Sequence, residues 1–207
     1  MGFVLEQNYD PKDKDRIHQD NYFNISLDRI DSDIGYIKGN IQLVTIGYNL
    51  IKGSLKEELL FDICRKISKF KSDNIKPKKV KIDSITEQFI KMKLHNSYHS
   101  CKYRTRTIKI DVTDRQLFDL YENQGGLCSK SGIKMETNTD TRLRPKVGRG
   151  NYCEDNYFNI SIDRVNSWDD YVITNIQLIC SCINLMKLDM QDDLFTQFCI
   201  DISKVHQ

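Results

Sequence analysis

The sequence predicts an α+β fold made of a duplicated core with flanking helices, the first copy being truncated. Three observations predict it. The segment Asp20-Asn21-Tyr22-Phe23-Asn24-Ile25-Ser26 recurs as Asp155-Asn156-Tyr157-Phe158-Asn159-Ile160-Ser161, and the match runs without a gap to Ser68-Lys69 and Ser203-Lys204. Within each copy, a stretch that alternates apolar and polar residues precedes stretches of helical spacing. The second copy carries an upstream section that the first largely lacks. About half of the matched positions are identical and many others conservative, such as Leu27/Ile162, Ile30/Val165 and Val44/Ile179. One long period present twice is not a solenoid; it is a duplicated domain core, a covalent pseudo-dimer.

The elements follow in chain order. Asn24 to Ile30 alternates as a half-buried strand does. The turn Asp31-Ser32-Asp33-Ile34-Gly35 follows. Asn40-Ile41-Gln42-Leu43-Val44 leads into Tyr48, Leu50 and Ile51, which predicts a short helix. Ser54 and Glu57 form a candidate capping box for a second helix. Its apolar stripe is Leu55, Leu59, Leu60, Ile63, Cys64 and Ile67. Lys76-Pro77-Lys78-Lys79-Val80-Lys81 reads as a basic linker, followed by a helix from about Ser84 to Tyr98. Thr113 to Asn123 reads as a helix ended by Gly125-Gly126. Leu127 to Met135 predicts a hairpin turning at Ser131-Gly132. The second copy then repeats the strand and helices, with Asp189 as cap and Met190, Leu194, Phe195, Phe198, Cys199 and Ile202 as the stripe. The expected organisation is a shortened repeat over 1–72, a basic linker over 73–83, and a complete repeat with N-terminal helices over 84–207.

Composition narrows the function classes. The chain has 207 residues, 39% hydrophobic and 29% charged, which is a globular and not a disordered composition. No run of eighteen apolar residues occurs, so no transmembrane helix is expected. The N-terminus meets Glu6 too early for a signal peptide. Seven cysteines, an odd number, point to free thiols in a reducing intracellular compartment. Abundant Lys, Ile, Asn and Asp are compatible with an AT-rich genome, including a viral or phage one. The net charge is only +2, so nucleic-acid binding has to come from local clusters. The candidates are Lys102, Arg104 and Arg106, interleaved with Tyr98 and Tyr103, and the strip Arg142, Arg144, Lys146 and Arg149. These runs also read as solvated faces. His95 and His99 stand four apart on an expected helix; such a pair is commonly surface decoration, and a metal site there needs further ligands.

A hairpin, a strand ending in Asp-Arg, a loop, an Asn, a helix and a second Asn resemble the HNH endonuclease family, also called His-Me finger or ββα-metal nucleases. The carriers are Tyr121 to Cys128, Ser131-Gly132, Ile162-Asp163-Arg164-Val165, Asn175-Ile176-Gln177-Leu178 and Asn184-Leu185-Met186-Lys187, similar to the phage-type branch. The resemblance covers about 84–204, and 20–69 again in shortened form. It implies a metal-dependent endonuclease acting on double-stranded or branched DNA. Asp163 and Asn184 would be the metal ligands, for Mg²⁺ or Mn²⁺, and Asn175 would orient the base. Asp28, Asn40 and Asn49 are the first-copy equivalents. The base position holds Arg164 and Arg29, and arginine stays protonated, so it is no ordinary general base. It would contact phosphate, or the base would come from elsewhere. Zinc knuckles of the family are each short of a cysteine, at Cys128-x-x-Ser131 and Cys180-x-x-Ile183, so no structural zinc is expected.

The same residues have plainer readings. Asp-Arg is a strand-end ion pair, and Asn40 and Asn175 are helix caps. The competing function is therefore an inactive HNH-like protein that binds DNA or is a structural component of a viral or ribonucleoprotein assembly with a partner protein.

Overall fold

The computed structural model describes residues 21–102, 107–139 and 156–206. Among them the fold is α+β, with six α-helices and three two-stranded sheets. Contacts divide the chain into two compact units. One comprises Met1–Ser68 with Asp193–Gln207, the other Lys69–Asp192. The C-terminal helix is thus grouped, from Asp193 onward, with the first repeat.

In the first unit β1 (Ile25–Arg29) pairs antiparallel with β2 (Ile41–Thr45), Asp28 standing opposite Gln42. The helix α1 (Ile46–Lys52) starts directly after β2 because Thr45 caps it, its hydroxyl accepting from the Tyr48 N–H at 3.1 Å. Gly53, at φ +51°, ends it. The next helix, α2 (Glu57–Asp73), buries Leu60, Ile63, Cys64 and Ile67, four members of the expected stripe. It begins at Glu57, so the expected Ser54–Glu57 capping box is not what starts it. The Glu57 carboxylate turns to Gln42 and Tyr48 instead. The C-terminal α6 (Asp192–Val205) supplies Phe198, whose ring stacks on Phe23 at 5.1 Å.

The second unit contains α3 (Ser84–Lys102), β3 (Ile110–Asp111), α4 (Asp114–Asn123), β4 (Ile160–Arg164), β5 (Tyr171–Val172), β6 (Ile176–Cys180) and α5 (Ser181–Lys187). The start of α4 has a full capping box between Thr113 and Gln116. Gly125 and Gly126, at φ +66° and +70°, turn the chain after it. The expected hairpin is present as a short antiparallel pairing: Leu127 bridges Lys134, the Cys128 N–H donates to the Ile133 carbonyl and the Met135 N–H to the Gly126 carbonyl.

The duplication is visible element by element. Four elements of the second copy start 135 positions after their counterparts: Ile25 and Ile160, Ile41 and Ile176, Ile46 and Ser181, Glu57 and Asp192. The sequence predicts a strand, a loop and a short helix; the residues after the Asn shared by both copies form a second strand, and the helix follows it. The copies differ in how their sheets are covered. Ile160, Ile162, Ile176 and Leu178 are buried, whereas Ile25, Leu27, Ile41 and Leu43 are exposed. In the second unit Gln124 clamps the β6 edge, its amide donating to the Leu178 carbonyl at 2.8 Å and accepting from the Leu178 N–H at 3.0 Å. Burying each such side chain contributes roughly 1.5–3 kcal/mol, so the upstream section accounts for much of the second unit's core.

Candidate functional site

The antiparallel register sets Asp163 of β4 across from Gln177 of β6. Two strands and the helix that follows them therefore aim polar groups at one carboxylate. The Gln177 amide donates to Asp163 Oδ2 at 2.9 Å, and Lys187 Nζ sits 3.2 Å from Oδ1. Lys187 also donates to the Arg164 carbonyl at 2.8 Å. Its side chain is fully buried, and Asp163 is 4% exposed. Gln177 reaches on to Asp192 at 2.9 Å, and Lys130 closes the chain by pairing with Asp192. Burial is the largest influence on Asp163 and pushes its carboxyl above the usual range, against the Lys187 charge and the Gln177 hydrogen bond.

The first unit contains the same arrangement. Lys52, fully buried, pairs with Asp28 at 3.0 Å and donates to the Arg29 carbonyl. Gln42 donates to Asp28 at 2.9 Å and to Glu57 at 2.6 Å. Burial, followed by the Glu57 charge, drives the Tyr48 hydroxyl well above its ordinary value.

The arginines do not pair with their neighbouring aspartates. Adjacent strand residues point to opposite faces. Arg164 donates to the Asp169 carbonyl at 2.8 Å, and its guanidinium lies 4.9 Å from the centre of the Tyr171 ring. Arg29 donates to the carbonyls of Ser32 and Ile34 and lies over Tyr36. Neither middle Asn caps a helix; each ties down the loop behind its strand. Asn175 accepts from the Asn166 N–H and donates to the carbonyls of Asn166 and Asp170. Asn40 accepts from the Asp31 N–H and donates to Asp31 and Gly35. On the helices, Asn184 donates to Ser161 Oγ at 2.7 Å and Ile162 O at 3.3 Å; Asn49 donates to Ser26 Oγ and Leu27 O.

Asp163, Arg164 and Asn184 line one cleft of about 480 Å³, with Ser161, Tyr171 and Leu188 among the other walls. The structure thus brings three of the four expected second-copy site residues together; Asn175 stands behind, on the loop. The donor set does not fit a divalent cation as it stands. Both carboxylate oxygens of Asp163 already accept hydrogen bonds, one from an ammonium whose charge opposes a metal ion at the same oxygen. Of the expected nucleic-acid contacts, Arg104, Arg106, Arg142, Arg144, Lys146 and Arg149 lie outside the described residues, and Lys102 is the last residue of α3. The Cys180 N–H meets Cys128 Sγ at 3.5 Å. Burial raises the Cys128 thiol, but hydrogen bonds from Cys180, Ser131 and the backbone outweigh it and bring it down to about 6.

Sequence reasoning missed Lys187, Gln177 and Asp192, with Lys52, Gln42 and Glu57 in the first copy. The signal was present: Lys and Gln are identical across the repeat, and the third position is acidic in both. No family model matches the chain, and no curated protein or solved structure matches it either.

Proposed function

We propose that the chain is an HNH-like nucleic-acid-binding protein whose duplicated core carries a buried lysine where a nuclease would hold metal. The observation that supports this reading is the buried Lys–Asp pair, formed by Lys187 with Asp163 and by Lys52 with Asp28. A lysine ammonium supplies the positive charge the carboxylate needs inside the protein, and Gln177 satisfies the other oxygen. Arginine at the base position agrees with this, since it keeps its proton and is occupied by a loop carbonyl. Affinity would then come from Lys and Arg on phosphates, outside the cleft.

The test is fluorescence anisotropy on duplex and branched DNA in EDTA. The expected outcome is binding that needs no metal and weakens steeply with salt. Replacing Arg104, Arg106, Arg142 and Arg144 by Gln should reduce it and flatten the salt dependence. Absence of binding at low salt would overturn the reading.

A second reading, a metal-dependent DNA endonuclease, is favoured by one observation: the cleft that gathers Asp163, Arg164 and Asn184. It requires the Lys187 ammonium to leave Asp163.

A further inference from the structure

We infer that His95 and His99 form a chelating site for a late first-row divalent cation, on the exposed side of α3 and apart from the cleft. The two residues stand four apart on the helix, so both rings project from one face. Their Nε2 atoms are 3.0 Å apart, and the ring centroids 4.6 Å. Imidazole nitrogens bind such ions at about 2.0–2.1 Å. Two ligands at that distance, separated by 3.0 Å, subtend roughly 94° at the metal. That is the cis angle of a square-planar or octahedral ion, the geometry of Cu²⁺ and Ni²⁺, and is tighter than the tetrahedral angle of a structural zinc site.

The two nitrogens face each other at hydrogen-bond distance, and a cation would take the place of the proton between them as the rings turn to aim both nitrogens at it. Both histidines are exposed, so water fills the remaining coordination positions and the site stays open to exchange. Lys91, four residues before His95 on α3, carries its ammonium over the Phe118 ring at 5.6 Å, which turns it toward α4. The affinity expected is that of two imidazoles acting together, above that of either alone because the second binds at high effective concentration.

The test is isothermal titration of the full-length chain, without an affinity tag, with NiCl₂. Nickel is the probe because it does not oxidise the free cysteines. The expected result is one equivalent bound, with affinity falling about tenfold or more in both His95→Ala and His99→Ala. Circular dichroism of the variants should match wild type, since neither ring is buried. Binding unchanged in both variants would overturn the proposal, as would no saturable binding by the wild-type chain at millimolar nickel.

Discussion

Replacing Lys187 by Met should destabilise the second unit by about 3–5 kcal/mol, the usual consequence of removing one partner from a buried ion pair. The structure supplies the terms. At the 3.2 Å separation of Lys187 Nζ and Asp163 Oδ1, the attraction is about 5 kcal/mol at an effective dielectric of 20. Desolvating the two charges costs several kcal/mol each. The intact pair therefore contributes little net stability, but Asp163 alone would be buried with its charge uncompensated. The double variant Asp163→Asn with Lys187→Met removes both charges and should recover most of the loss. Trp168, the chain's single tryptophan, lies in the second unit and reports its unfolding. In urea the midpoint of Lys187→Met should drop by more than about 1 M. Burial already raises the Asp163 carboxyl. A raised folded-state carboxyl adds stability that is complete below the ordinary value of 3.8 and lost as pH rises through the folded value. Removing Lys187 raises it further, so the defect should shrink at acid pH. A Lys187→Met protein within about 0.5 kcal/mol of wild type at pH 7, where ordinary surface changes fall, would refute the reasoning.

Lys52→Met should bring a similar loss of about 3–5 kcal/mol in the first unit, read from amide-exchange protection of β1 and β2. Asn175→Ala removes three hydrogen bonds from the loop behind β4 and should cost about 1–3 kcal/mol, measured by the same tryptophan transition. Gly47→Ala would place a methyl 2.5 Å from the Phe198 ring and should destabilise the first unit by about 1–3 kcal/mol, detected as a lower melting temperature by calorimetry. Gly35→Ala, with nothing within 4 Å and no positive φ, is the neutral control.

The duplication was legible because a period is a property of sequence alone, and four matched strands and helices of the two copies start 135 positions apart. In the first copy Ile25, Leu27, Ile41 and Leu43 are exposed where their second-copy counterparts are buried, a difference that the matching residues themselves do not encode. The short run Ile41 to Thr45 escaped as a strand because five residues that run straight into a helix carry no alternation long enough to read. The capping box at Ser54 fitted the local rule, but Glu57 had a stronger partner in Gln42, fifteen positions away. Lys187 escaped for a different reason. Lysine is almost never fully buried, so a lysine at the end of a short helix reads as a helix-terminal charge. Only the fold places it beneath Asp163. The Asp163–Arg164 ion pair was the opposite case: strand geometry alone argued against it, since neighbours point to opposite faces.

Whether lysine occupies the carboxylate a nuclease would give to metal is decided by plasmid and branched-DNA cleavage in Mg²⁺ and Mn²⁺. Purified, folded protein should bind the DNA and leave it intact with either ion. Metal-dependent nicking that disappears in Asn184→Ala, a variant that keeps the Lys187–Asp163 pair, would contradict it.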